Sequence, residues 1–153
     1  MRVLRSRWPL LGVIALAMAL GWAFARPQEA AAHAILERSL PVQNQQLDAP
    51  PQLVETWYSE ALERNLTSLE VLDTQGNAVH VGPTRFSDDP TYAAIEMPED
   101  LGPGIYTVTY ENVSQVDGHT WSGFFSFVVL EQDGTVPAGE ALITCGLAGH
   151  VGF

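Results

Sequence analysis

The 153 residues contain one cysteine, Cys145, and no lysine. A lone cysteine excludes an internal disulfide, so the fold must be held by its core, and it excludes any site built from several thiolates. Methionine is scarce as well. Beyond residue 32 only Met97 remains, which rules out a methionine-lined Cu(I) site. Positive charge is sparse, with 7 basic residues against 18 acidic ones. Such a surface repels nucleic acid and anionic lipid, and the chain has neither a basic patch nor a phosphate-binding glycine loop. A G-x-S-x-G nucleophile elbow is also missing. Beyond residue 32 no stretch reads as a helix of ten or more residues, and no repeat or low-complexity tract stands out.

What is present begins with a leader. Arg2, Arg5 and Arg7 are followed by a nearly unbroken apolar run, Leu10 to Phe24, and then by Ala30-Ala31-Ala32. This is the charged, apolar, small-residue order of a secretory signal, and the run of about fifteen residues is shorter than the roughly 20 that a membrane-spanning helix needs. Residues 1–32 are therefore expected to be a signal peptide, cut after Ala32 to leave His33 first. Ala23-Phe24-Ala25 is a competing cut that would leave seven residues ahead of the histidine. The remaining chain carries 3 basic and 17 acidic residues, a formal charge of −14.

From residue 33 the pattern is one of short strands between breakers. Ser39-Leu40-Pro41 and Asp48-Ala49-Pro50-Pro51 are breakers. Strands are expected over Gln52 to Tyr58, Ser68 to Leu72, Ala78 to Val81, Thr91 to Met97, Ile105 to Glu111 and Ser122 to Leu130, with a turn at Asp73 to Asn77 and at most one helical turn at Leu62 to Leu66. Alternation is clearest where Tyr106, Val108 and Tyr110 oppose Ile105, Thr107 and Thr109. Several strands at this spacing predict an all-β, Greek-key sandwich over residues 33–131, with a barrel as the alternative. The last two strands form a hairpin whose connection, Asn112 to Trp121, is longer than a tight turn and a place for function. Residues 132–153 form a glycine-rich, largely apolar tail.

Four histidines lie beyond the leader: His33, His80, His119 and His150. Asp117-Gly118-His119 sits in the hairpin connection. A sharp turn at the glycine lets the flanking aspartate and histidine address one ion, although the same triplet also serves as an ordinary turn. His33 sharpens the reading. As a first residue it offers an α-amine and an imidazole Nδ1 to one metal. With His119 and Asp117 this makes an N,N,N,O set, which suits tetragonal Cu(II). His80 reads as a surface histidine, and Cys145 with His150 as a weak second soft site.

These stretches resemble the CopC copper-resistance family. The resemblance is carried by His33 through Pro41 (HAILERSLP), Trp57 through Glu63 (WYSEALE), Gly102 through Val108 (GPGIYTV) and Val113 through Phe127 (VSQVDGHTWSGFFSF). It implies an Ig-like or cupredoxin-like sandwich of seven or more strands. It implies an exported, periplasmic or cell-surface Cu(II) carrier, not an enzyme, with His33, Asp117 and His119 as ligands. Glu60 is implied as a weak ligand or hydrogen-bonding neighbour, and a CopD-like membrane protein as a partner. The chain departs from the family in an extra residue between Ser114 and Asp117, in Thr120 where proline is frequent, and in lacking a methionine-rich loop. Two other readings stay open. One is a copper oxidase using a histidine brace, and the other is a structural Ig-like module in which D-G-H is only a turn. Oligomeric state is not readable.

Overall fold

The computed structural model describes residues 33–142. The leader and the end of the tail, including Cys145 and His150, lie outside the described residues. Eight strands make two four-stranded sheets. The strands are β1 (Leu36–Leu40), β2 (Gln45–Leu47), β3 (Leu53–Tyr58), β4 (Ser68–Leu72), β5 (Val81–Arg85), β6 (Tyr92–Glu96), β7 (Gly104–Val113) and β8 (Thr120–Val129). One sheet has the order β1-β3-β6-β5 and the other β2-β8-β7-β4. All pairings are antiparallel except β2 with β8. The all-β Greek-key sandwich expected from sequence is the observed architecture.

Period-two alternation builds the core, because successive side chains of a strand point to opposite faces. On β3 the inward set is Val54, Thr56 and Tyr58. On β7 it is Tyr106, Val108 and Tyr110, and on β8 it is Phe125, Phe127 and Val129. Leu69 and Val71 of β4 and Ala93 and Ile95 of β6 complete the interior. No disulfide is needed because these apolar side chains fill the space between the sheets.

The expected strands at 52–58, 68–72, 91–97, 105–111 and 122–130 are all present within a few residues of those bounds. Ala78 to Val81 is corrected. The Asp73–Asn77 turn forms, with Asp73 Oδ1 accepting the Gln75 and Asn77 amides, but Ala78 makes only an isolated bridge to Leu72. The chain then crosses to the other sheet, where Val81–Arg85 pairs with β6. Gly82-Pro83 reads as a breaker, yet proline is tolerated on an edge strand, and β5 has a single neighbour. Strands β1 and β2, five and three residues long, were not anticipated. Both are edge strands whose pairing comes from distant partners rather than from their own alternation. The helical turn is a 3-10 turn, Arg64–Leu66.

Three connections meet at one end of the sandwich. Leu36 at the start of β1 pairs with Tyr58 at the end of β3. Leu62, just after β3, bridges to Ser114, just after β7. The 10-residue β7–β8 ladder ends at Val113 opposite Thr120, so residues 114–119 project beyond the sheet at that end.

Candidate metal centre

His33 is placed by the segment behind it. Ala34 is fully buried and plugs the end of the core. The Ser59 hydroxyl donates to the His33 carbonyl at 2.8 Å and accepts the Ile35 amide at 3.0 Å. The Ser59 amide in turn donates to the Ile35 carbonyl at 2.9 Å.

The Asp117-Gly118-His119 loop is folded by its own backbone. Gly118 has φ +73°, the left-handed region that glycine occupies without strain. Its amide donates to the Ser114 carbonyl at 2.9 Å, closing a wide turn over Ser114 to Gly118, and the Ser114 amide donates to the His119 carbonyl at 3.0 Å. The extra residue between Ser114 and Asp117 is thus absorbed within one turn. Ser114 is 1% exposed, and its hydroxyl accepts the Val116 amide while donating to Glu60 Oε2 at 2.6 Å. Glu60 therefore lies against the root of the loop, bound through Ser114.

These supports bring His33 and His119 together. Their rings stack with centroids 5.3 Å apart and planes 17° from parallel. Trp121, the second residue of β8, meets the His33 ring edge-on at 5.5 Å. Asp117 engages His119 twice. Its Oδ1 accepts the His119 amide at 2.9 Å, and its Oδ2 lies 2.6 Å from Nδ1. An ionised carboxylate only accepts, so Nδ1 carries a proton, and in the neutral ring Nε2 keeps its lone pair. A carboxylate offers about four acceptor positions, so Asp117 also retains lone pairs.

The pairing perturbs both groups. The His119 hydrogen bond, then the His119 amide, hold the Asp117 carboxyl below its ordinary value, with the charges of His119 and His33 adding to this. The same hydrogen bond and the negative charge raise His119 above its ordinary value. The depressed carboxyl stabilises the loop above pH 3.8, and that share is lost as pH falls through its lowered value. The raised imidazole stabilises it below pH 6.5, and that share is lost as pH rises through its raised value. Both contributions are complete between those two values. Asp117→Asn removes the cause of the His119 shift. A proton NMR titration of the metal-free chain is expected to show His119 titrating back near 6.5. An unchanged His119 titration would mean that the 2.6 Å contact does not form in solution.

Among the described residues no three His, Cys, Asp or Glu side chains converge as a ready-made ligand cluster. The geometry explains this. Stacked imidazoles present faces rather than nitrogens to each other, so rings already in contact need to rotate before they share an ion. One further donor, the α-amine of His33, exists only when no residue precedes it. Among the described residues the donor chemistry at this end is imidazole nitrogen and carboxylate oxygen, with no sulfur. Met97 is buried at the far end of β3, its amide bonded to Gln52. Imidazole nitrogen with carboxylate oxygen suits borderline divalent metals, copper among them.

His80 lies elsewhere. It precedes β5, outside any strand, with Nδ1 3.0 Å from the Gly82 carbonyl. Sequence reasoning named His33, Glu60, Asp117 and His119 but missed Ser59 and Ser114, which tie them down. The one signal for Ser59 was its place beside Glu60 at the end of an alternating strand.

Comparison with known proteins agrees with the fold. The CopC domain family matches residues 36–130. Protein YobA of Escherichia coli is 30% identical over 99 residues, covering 64% of this chain and 79% of YobA. The copper transport protein CutJ of Bacillus subtilis is 26% identical over 131 residues, and the match spans 23% of CutJ. Among solved structures, CopC from Methylosinus trichosporium OB3b superposes with a TM-score of 0.59 at 30% identity, covering 63% of this chain and 93% of that one. PcoC, a methionine-rich copper resistance protein from Escherichia coli, superposes with a TM-score of 0.54 at 26% identity, covering 64% of this chain and 99% of that one. With a domain match over most of its length and the same sandwich, the chain belongs to the CopC family of exported, copper-related proteins.

Proposed function

We propose that the chain is cut after Ala32 and that the processed protein carries one Cu(II) ion outside the cytoplasm. The ion is held by the α-amine and Nδ1 of His33, the free Nε2 of His119 and a carboxylate oxygen of Asp117. Glu60 serves as a hydrogen-bonding neighbour or weak oxygen donor. The observation that carries this reading is the contact of the His33 and His119 rings at 5.3 Å, beside an aspartate that already orients His119. Metal-binding histidines commonly donate their second ring N–H to a carboxylate, which fixes the tautomer and strengthens the ligand. A CopD-like membrane protein is the partner in this reading, and a segment of the copper transport protein CutJ is similar to this chain.

Copper and protons compete for the same nitrogens. The amine and imidazole must be deprotonated to bind, and Asp117 makes His119 hold its proton more strongly than an isolated imidazole would. Affinity is therefore expected to fall progressively as pH drops below about 8, the ordinary value of the amine, and to be largely gone near about pH 5. The test is native mass spectrometry of the secreted protein with one equivalent of Cu(II), recorded across that range. The expected species begins at His33, carries one copper at neutral pH and sheds it on acidification. A product beginning at Arg26, or copper retained unchanged well below about pH 6, counts against this ligand set.

A further inference from the structure

The candidate centre is assembled from two chain segments far apart in sequence, 33–35 and 113–119. Both are fastened to the same short loop after β3, residues 59–62. Ser59 takes the first segment. Its hydroxyl donates to His33 O at 2.8 Å and accepts from Ile35 N at 3.0 Å, so a single oxygen bridges both sides of Ala34. Glu60, Ala61 and Leu62 take the second segment. Glu60 Oε2 accepts the Ser114 hydroxyl, Ala61 O accepts the Gln115 amide at 2.8 Å, and Leu62 bridges to Ser114.

The two attachments are not equivalent. The 113–119 segment is fixed at both ends by the β7–β8 ladder and would keep its place if one bond were lost. The 33–35 segment lies ahead of the first strand, since β1 begins only at Leu36. In a chain that starts at His33, the first residue has no neighbour on its other side. Its ring is then placed by His119 and Trp121, and its backbone by the buried Ala34 methyl and by whatever holds the His33 carbonyl. The bond that the structure supplies to that carbonyl from another part of the fold is the Ser59 hydroxyl. The Ile35 amide also reaches it, at 2.7 Å, but from within the same segment, and so moves with it.

We propose that Ser59 is a positioning residue that sets where the amine and ring of His33 point, and so pre-organises the copper chelate. This rests on the reading of His33 as an amino-terminal ligand. Ser59 itself is exposed, so its hydroxyl contributes nothing to the core. The Ile35 amide keeps its bond to the His33 carbonyl at 2.7 Å when the hydroxyl is removed. The Ser59 amide bond to Ile35 O and the Leu36–Tyr58 pairing do not depend on the side chain. Removing the hydroxyl therefore frees the first residue while leaving the sandwich intact. Without the hydroxyl, the ordering of His33 is no longer done in advance and must accompany metal binding.

The experiment compares Ser59→Ala, Ser59→Thr and His33→Ala with the parent, each expressed as the full chain and collected as the secreted protein. Cu(II) affinity is measured by competition, the Cu(II) EPR spectrum is recorded, and the thermal midpoint is taken without metal. Ser59→Ala is expected to bind Cu(II) about tenfold more weakly, with the parent's single EPR species replaced by a mixture, and with an unchanged midpoint. Ser59→Thr, which keeps a hydroxyl, restores both affinity and spectrum. Unchanged affinity and spectrum in Ser59→Ala, in a protein where His33→Ala abolishes tight binding, overturn the positioning role alone. A lowered midpoint that Thr restores, with copper binding unaffected in the folded fraction, makes Ser59 structural and overturns it too. Copper binding that survives His33→Ala overturns the chelate reading and this inference with it.

Discussion

Placing one extra residue ahead of His33 in the processed chain is expected to weaken Cu(II) binding by at least about a hundredfold, because losing a direct donor costs more than the 10–100-fold seen for outer-shell partners. The extension turns the α-amine into an amide. An amide nitrogen donates only if the metal displaces its proton, so the ready amine–imidazole chelate is lost, although every side chain stays in place. His33→Ala makes the complementary change, keeping the amine and removing the imidazole. Both variants are expected to fold normally, since Ala34 and β1 hold the end of the core without the His33 ring. A competition titration against a chromophoric Cu(II) chelator reads the difference, with circular dichroism as the control for folding. If the extended chain binds within about threefold of the parent, the amine is not a ligand and the chelate is wrong. If only His33→Ala retains affinity, the ring is dispensable and the amine alone matters. The two results separate the donors contributed by one residue.

Phe127→Ala is expected to lower stability by about 3–5 kcal/mol, the range for deleting a buried aromatic side chain. Phe127 has no exposed surface, and its ring lies 5.5 Å from that of Tyr106. It also sits where β8 is paired on both sides, opposite Tyr106 of β7 and Gln45 of β2. The neighbouring sheets cannot close the void without disturbing those ladders. For a domain whose total stability is about 5–15 kcal/mol, this is a large fraction. Phe124 is the control. It is the same residue type on the same strand, but it faces outward and is 46% exposed, so Phe124→Ala is expected to cost about 1 kcal/mol or less. Urea unfolding of both variants tests the assignment of faces. Equal losses would mean that β8 does not alternate as the two-sheet packing requires.

The legible parts of the fold were those in which each strand carries its own pattern. On Gly104–Val113 the apolar Tyr106, Val108 and Tyr110 alternate with Thr107 and Thr109, a period visible in the sequence even though both faces are covered there, and on Thr120–Val129 Phe125, Phe127 and Val129 alternate with less buried residues. The short edge strands did not show. Leu36–Leu40 has one buried residue and Gln45–Leu47 has none, so neither carries a hydrophobic period. Val81–Arg85 was hidden by Gly82-Pro83, a pair that stops a central strand but not an edge. The candidate site divides in the same way. Asp117, Gly118 and His119 are neighbours in sequence, so their local geometry follows from a turn, and Gly118 adopts the positive φ that such a turn asks for. His33 was readable only because of the leader ahead of it. Glu60 entered through family resemblance alone, with no local pattern to mark it.

By itself, the sequence determined the chemistry on offer: imidazoles and carboxylates with almost no sulfur, no lysine, and a strongly acidic surface once the leader is set aside. These are properties of composition, and folding does not change them. It also marked the central strands and the all-β class, because alternation is a local property that the sandwich then exploits. Tertiary structure alone decided which donors meet. The pairing of Leu36 with Tyr58 and the bridge of Leu62 to Ser114 bring the start of the domain, the loop after β3 and the loop after β7 to one end. The same structure decided that the His33 and His119 rings meet and that Ser59 holds the His33 carbonyl. Such contacts join residues from strands distant in sequence, and their geometry depends on how two sheets pack, which no local pattern records.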